Sequence, residues 1–125
     1  MAYISQEDKK SKAPAIKAIL KKYGLKGSLS IHHYSTLVLT IRSGKIDFES
    51  NYLRNTGQES FHYQVNPYHI RHSYNGEAAK ALEELNSAMN VGNHDNSDIQ
   101  TDYFDVGWYI TIDIGRWDKP YKLEK

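Results

Sequence analysis

The chain has 125 residues, of which 39% are hydrophobic and 25% are charged, and its formal net charge at pH 7 is +1. These values are typical of one globular domain, residues 1–125, and they exclude a disordered polymer or a wholesale acidic mimic of DNA. The absence of cysteine excludes disulfides, thiol catalysis and zinc–thiolate sites. No apolar run approaches the roughly 20 residues of a membrane span and no secretory h-region is present, so we expect a cytoplasmic protein without membrane contacts.

A basic helix is predicted near the N-terminus, where the first 26 residues carry seven lysines against two acidic residues. Ser5 and Asp8 have the spacing of a capping box, which indicates that a helix begins just after Ser5. Because an internal proline removes a helical hydrogen bond, we predict a short first turn over residues 5–12 and a main helix that begins at Pro14. Gly24 is placed to end that helix in the left-handed conformation.

Three segments alternate between apolar and polar residues, which is the pattern of strands with one buried face. Residues 28–33 and 36–41 are separated by a short turn and predict a hairpin. Residues 106–114 predict a third strand, so we expect a small antiparallel sheet, with residues 61–65 as a fourth strand at its edge. The side chains predicted to face the core from the third strand are Trp108, Ile110, Ile112 and Ile114.

The clearest helical pattern lies in residues 78–89, with Asn75 as a plausible N-cap. Residues 46–55 predict a shorter helix, and residues 67–72 a short helical turn. We expect the two main helices to cover one face of the sheet, which makes the fold α+β: an antiparallel sheet of three to four strands covered on one face by two helices.

An acidic, polar loop is predicted at residues 93–105. Its carboxylate and amide oxygens at alternate positions are ligands that Ca²⁺ prefers. The pattern does not match an EF-hand, because its glycine is missing and the twelfth position is Phe104. We therefore interpret the segment as a surface loop without a metal and expect it to contact a partner. The candidate binding residues in it are His94, Asp95, Asp98 and Asp102.

A second candidate contact surface lies in the aromatic and histidine-rich residues 61–74. Its candidate binding residues are His69, Arg71, His72 and Tyr74. Aromatic residues and arginine stack on single-stranded bases and are also enriched at protein interfaces, so residue types leave both partners open. Two histidines three residues apart suit a transition metal, but no third ligand accompanies them. Trp117, after the last strand, is expected either at the sheet edge or in a contact surface.

Several stretches taken together resemble a known family. They are APAIKAILKKYG (13–24), STLVLTIRSGKID (35–47), QVNPY (64–68), GNHD (92–95), TDYFDVGWY (101–109) and GRWDKPY (115–121). Their order and content resemble the large polyvalent protein-associated domains of tailed phages and conjugative elements. The resemblance implies an accessory protein of a mobile element, in the cytoplasm of a host cell, that counters host defence or prepares the incoming genome. It carries over no catalytic residues.

Three functions follow as hypotheses. The first is a non-enzymatic protein that binds a host or phage protein, as an inhibitor of a defence complex would, and that needs no cofactor. The second is a nucleic-acid-binding module, which would use aromatic residues and the N-terminal lysines Lys9, Lys10, Lys12, Lys17, Lys21 and Lys22. The third is a metal- or nucleotide-dependent enzyme centred on His94, Asp95 and Asp98. The sequence leaves open whether the chain forms a homo-oligomer.

Overall fold

The computed structural model describes residues 3–58, 64–67, 69–91, 93, 107–116 and 118–124. The helices within these residues are α1 (Gln6–Lys22), α2 (Phe48–Thr56), α3 (Ile70–Ser73) and α4 (Gly76–Met89). The strands are β1 (Leu25–His32), β2 (Thr36–Gly44), β3 (Gln64–Val65), β4 (Tyr109–Ile114) and β5 (Lys122–Leu123). The α+β class is confirmed. None of the helices in this part of the chain is long and apolar enough to cross a membrane.

The sheet has the strand order β1-β2-β4-β3, and β5 pairs with the end of β2. The predicted hairpin of β1 and β2 is confirmed, and β3 is an edge strand, antiparallel to β4. The prediction of an antiparallel sheet is wrong for β4, which runs parallel to β2. Two parallel neighbours need a long crossover, and the segment between β2 and β4 contains three helices that supply one. The alternation of a strand shows which face is buried but carries no information about its direction.

Helix α1 is continuous, so the prediction of a break before Pro14 is wrong. The capping box at its start is confirmed: Ser5 Oγ accepts a hydrogen bond from the Asp8 amide, and the Asp8 carboxylate accepts one from the Ser5 amide. Pro14 lies inside the helix on its exposed side. The lost hydrogen bond is offset by the burial of Ile16 and Leu20, which are 0% and 5% exposed, on the opposite side.

The core lies between the sheet and the helices. Leu37, Leu39 and Ile41 of β2 are fully buried, as are Ile112 and Ile114 of β4. The predicted inward side of β4 is confirmed, because Trp108 and Ile110 also pack against this cluster. Helices α1 and α4 contact each other, while α1 also contacts β1 and α4 contacts β4. Both main helices therefore lie on one face of the sheet, as predicted.

A buried asparagine fixes the start of α4. Asn75 occupies the N-cap position, but its side chain makes no capping hydrogen bond. It accepts a hydrogen bond from Asn51 Nδ2 at 2.8 Å, and Asn51 Oδ1 accepts one from the Asn75 amide at 3.0 Å. Asn51 is 7% exposed and lies in α2, so this reciprocal pair joins two helices. The predicted position of Asn75 is right, although its side chain serves tertiary packing.

Candidate functional site

The face of the sheet that points away from the helices carries polar side chains, and we call it the open face. Alternate residues of three strands lie on it and line a cleft of about 640 Å³ together with the turn that follows β4. The lining residues are Ser28, Ser30, His32, Val38, Thr40, Arg42, Asp113, Gly115, Arg116, Lys119 and Pro120. None of them belongs to a helix, so the cleft is a product of the sheet and its turns.

The register of the strands brings these side chains together. Thr40 pairs with Ser28 on one side and with Asp113 on the other, which forms a polar row across the sheet. The register of β1 and β2 shifts at one point, where Lys26 faces Ser43 and the next residue, Gly27, faces Ile41. Arg42 is the extra residue of this β-bulge. Arg42 also follows Val38 and Thr40 at the two-residue spacing of one strand face, and it lines the wall of the cleft.

A tight turn after β4 forms the rim of the cleft. The Arg116 amide donates to Lys119 O at 2.8 Å and the Lys119 amide donates to Arg116 O at 3.2 Å. Gly115 has a φ of +75°, and a Cβ atom at this position would lie 2.2 Å from the Tyr121 amide nitrogen. Only glycine therefore fits the start of this turn. The turn holds the cations Arg116 and Lys119 at one edge of the open face.

The turn is fastened to the core through Tyr121. Its ring packs edge-on against Phe48 with 5.4 Å between the ring centroids, and its hydroxyl donates to Ile46 O at 2.8 Å. Burial is the main reason why the pKa of Tyr121 is raised to about 12. The position of the rim is thus determined by aromatic packing on the other side of the sheet.

The charges in the cleft are predominantly positive. Of the charged residues that the structure describes in its lining, Arg42, Arg116 and Lys119 are cationic and Asp113 is the one carboxylate. Among the described residues, the side chains of Arg42 and Asp113 have no hydrogen-bond or ion-pair partner, while Arg116 makes an exposed pair with Asp118 at 3.4 Å. Burial raises the pKa of Asp113, and the nearby His32 partly opposes this shift. Cationic groups without a protein partner are free to hold an anion.

The floor of the cleft is apolar. Val38 is 5% exposed but lies apart from the helix-covered core, because its side chain points to the open face. Its cross-strand neighbours on this face are Ser30 and Thr111. The arrangement has a small apolar floor, hydroxyl groups around it and cations at the walls, which suits an extended ligand with both apolar and anionic parts.

The histidine-rich candidate surface is exposed only in part. His69, Arg71 and His72 are exposed around a hollow of about 430 Å³ beside α4. Arg71 is already paired there, with its guanidinium 2.7 Å from the Glu83 carboxylate. The expectation of an exposed Tyr74 is wrong, because Tyr74 is 2% exposed, packs edge-on against Phe48 and has its pKa raised by burial. An aromatic residue beside charged neighbours gives no local signal of which way its ring points.

The candidate residues of the acidic loop, together with Trp117, lie outside the described residues. They are His94, Asp95, Asp98, Asp102 and Trp117. In the part of the chain that the structure does describe, no group of three or more His, Asp or Glu residues is arranged to hold a metal ion.

The residues that flank this loop are fastened together. Asn93 Nδ2 donates to Trp108 O and Asn93 Oδ1 accepts from the Trp108 amide, each at 3.0 Å. The indole Nε1–H of Trp108 donates to Met89 O at 3.1 Å. The Lys12 ammonium lies 4.6 Å from the centroid of the indole ring and donates to Val91 O. Trp108, which directly precedes β4, therefore has a structural role: it contacts Lys12 of α1 and Met89 of α4.

Sequence reasoning missed the residues of the cleft. The signal for them was present on the polar side of each predicted strand, since Ser28, Ser30 and His32 alternate with the partly buried Leu29 and Ile31. Only the register of the folded sheet shows that Arg42 and Asp113 share a cleft with these residues.

No protein-family model, curated protein or solved structure matches this chain at a significant level. The resemblance to the large polyvalent protein-associated domains therefore stays a prediction that no comparison tests.

Proposed function

We propose that this protein is a non-enzymatic accessory protein of a phage or other mobile element that binds nucleic acid through the cleft on the open face. The observation that carries the proposal is the cleft itself, where the cations Arg42, Arg116 and Lys119 surround a small apolar floor bordered by hydroxyl groups. The mobile-element context comes from the sequence resemblance. Preparation of an incoming genome, one of the roles that the resemblance implies, requires contact with nucleic acid.

The chemistry of the cleft matches a sugar–phosphate backbone. Arginine presents a planar fork that fits phosphate oxygens, and charge-assisted hydrogen bonds of this kind are stronger than neutral ones. The hydroxyl groups of Ser28, Ser30 and Thr40 suit phosphate and sugar oxygens, which receive most protein–nucleic acid hydrogen bonds. Arg42 has no protein partner among the described residues, so binding would not need to break an existing ion pair there.

A protein partner is the competing proposal, and the open face favours it less. Protein interfaces have an apolar centre that is depleted of charged residues. The cleft instead has charged walls. Its apolar residue Val38 is only 5% exposed, so it offers little apolar surface to a protein partner. Two other surfaces were expected to bind a protein. The histidine-rich one has Tyr74 buried and Arg71 paired with Glu83, and the acidic loop lies outside the described residues. If the protein inhibited a host defence complex by binding one of its proteins, it would use a surface other than the cleft.

The N-terminal lysines are not part of this site. Helix α1 lies on the covered side of the sheet, so Lys17 and Lys21 are exposed away from the cleft. Lys12 already contacts Trp108, and Lys22 pairs with Glu84 at 2.9 Å. This separation supplies a matched control, because two lysines of α1 can be removed without a change in the cleft.

Fluorescence anisotropy with a labelled oligonucleotide tests the proposal. The double substitution Arg42→Ala and Lys119→Ala is expected to weaken binding at least about tenfold, since two phosphate contacts are lost. The slope of log K against log salt concentration should decrease in magnitude by about 2. Lys17→Ala with Lys21→Ala removes the same charge from α1 and should leave the affinity nearly unchanged.

Two results would contradict the proposal. One is an absence of binding by the unmodified protein at low salt. The other is an equal loss of affinity in both double variants, which would show that only net charge matters. Circular dichroism and the urea midpoint of each variant identify any loss that comes from unfolding.

A further inference from the structure

Three exposed tyrosines meet at one end of the sheet, next to the cleft. Tyr3, Tyr34 and Tyr109 are 59%, 77% and 50% exposed. Their main chains are joined around the β1–β2 turn: the Tyr3 amide donates to Gly107 O, the Ile4 amide donates to Tyr34 O and the Tyr109 amide donates to Ser35 O, each at 2.8 Å. We call these three residues the tyrosine edge.

The turn that carries Tyr34 has an unusual backbone. His33 and Tyr34 both have positive φ angles, 55° and 57°, which residues with a side chain rarely adopt. They are the central residues of a β-turn, closed by a hydrogen bond from the Ser35 amide to His32 O, within the three-residue connection between β1 and β2. A β-turn with two left-handed central residues normally contains Asn-Gly or a similar pair. Here the chain places an imidazole and a phenol ring at the tip instead. Strained positions of this kind cluster at binding sites, which supports a role for these exposed rings.

The tyrosine edge is continuous with the cleft. Tyr109 pairs with Thr36, and Thr36 pairs with His32, so their side chains share the open face. From Thr36 to Arg42 the strand advances six residues, which is about 20 Å at ~3.3 Å per residue. That length is suited to the lower end of the roughly 4–16 nucleotides that one small domain holds as a single strand.

We infer that the open face selects single-stranded over duplex nucleic acid, with bases stacked on Tyr109 and Tyr34 and phosphates on Arg42, Arg116 and Lys119. This inference rests on the proposed function and gives it a partner class. Aromatic rings bind bases by stacking, and the faces of the bases are accessible in a single strand but covered in a duplex. A protein that lacks exposed rings beside its cationic groups would have no such preference.

The cationic groups and the exposed aromatic rings lie at opposite ends of the open face. The cations lie toward the Arg42 end, while the exposed rings lie toward the Tyr109 end, and the hydroxyl groups of Ser30 and Thr40 lie between them. A duplex would present phosphates on its whole outer surface and would leave the rings without a partner. A single strand laid along the face presents unpaired bases to the rings at one end and phosphates to the cations at the other.

Three labelled probes of equal length test this inference by anisotropy: a single strand, its duplex and a strand of abasic sites. We expect the unmodified protein to bind the single strand at least about tenfold more tightly than the other two, since stacking on two rings adds to the phosphate contacts. Tyr109→Leu with Tyr34→Asn should remove most of this preference and change duplex binding little. Asparagine tolerates the left-handed backbone, so the turn should remain intact.

Conservative variants separate the ring from the hydroxyl. Tyr109→Phe and Tyr34→Phe keep a ring for stacking and should retain the preference. Leu53→Ala removes an exposed apolar side chain of α2 that does not line the cleft, and it should leave all three affinities unchanged. Equal affinity for the three probes would overturn the inference and leave the proposed function standing. No binding to any probe, with binding to a protein from the host instead, would overturn both.

Discussion

The two faces of the sheet are built from the same strands and have opposite environments. In β2, Leu39 is fully buried under the helices, while its neighbour Thr40 lines the open cleft. Residues on the covered face stabilise the fold through burial of apolar surface. Residues on the open face contribute little to that burial and are available for a ligand. Stability and binding should therefore be separable by substitutions only one residue apart.

The largest expected effect comes from Leu39→Ala. Removing a fully buried leucine side chain should reduce the free energy of unfolding by about 2–5 kcal/mol, because the packed core collapses only in part around the cavity. Thr40→Ala on the open face should change it by less than about 0.5 kcal/mol. Urea denaturation followed by circular dichroism measures both. A similar decrease in the free energy of unfolding for both variants would show that the open face is also covered by protein.

The next effect comes from Gly115→Ala, which tests the link between the two faces. An alanine in the left-handed region costs about 1–2 kcal/mol. Its Cβ would also lie 2.2 Å from the Tyr121 amide nitrogen, so the backbone there would have to move. Gly57→Ala is the matched control, because Gly57 has a φ of +72° and no atom within 4 Å of the added Cβ. We expect Gly115→Ala to be the more destabilising change, and only this variant should weaken oligonucleotide binding.

A smaller effect is expected from Ser5→Ala, which alters the covering helix alone. Loss of this N-cap should cost about 1 kcal/mol at pH 7, with unchanged affinity at the cleft. Hydrogen bonds from the Ser5 amide and then from its hydroxyl hold the pKa of Asp8 below its usual 3.8, and alanine removes only the hydroxyl. A lowered carboxyl pKa stabilises the fold above the unfolded-state value and loses that contribution as the pH falls through the folded-state value. The difference between the variant and the unmodified protein should therefore shrink in acid, as thermal melts at pH 7 and pH 2.5 would show.

The smallest effect on stability is expected from Asp113→Asn. Burial raises the pKa of Asp113 above its usual 3.8, so the folded state binds the carboxyl proton more tightly than the unfolded state. The protonated carboxyl therefore stabilises the fold in acid, and this stabilisation is lost as the pH rises from 3.8 through the raised pKa. The neutral amide should thus give a slight gain in melting temperature at pH 7 and none below pH 3. Removal of the only carboxylate among the described residues of the cleft should also strengthen oligonucleotide binding. Weaker binding by this variant would indicate that the carboxylate contacts the ligand.

Local patterns predicted the covered face well. The alternation in β2 and β4 identified the inward side chains, and the Ser5–Asp8 spacing identified the start of α1. These features succeed because burial and capping depend on residues close together in the chain. The break at Pro14 failed, since a proline on the exposed side of a helix is outweighed by packing of Ile16 and Leu20 on the other side.

The candidate site was predicted less well, because it depends on contacts between distant segments. Tyr74 is buried against Phe48, which no neighbour in the sequence indicates. Arg42 shares a strand face with Thr40, and Asp113 joins them because the parallel register of β4 pairs it with Thr40. Pairing partners and strand direction are decided by the whole chain, whereas the alternation that a single strand shows is compatible with either direction.

The sequence by itself determined the α+β class, the side of each strand that is buried and the capped start of the first helix. These follow from the periodicity of apolar residues and from hydrogen bonds within a few residues. The tertiary structure alone decided that a mixed sheet leaves one polar face open, and that Arg42, Asp113 and Lys119 meet there. Such a site is formed by side chains far apart in the chain, and only the register of the folded sheet fixes the distances between them.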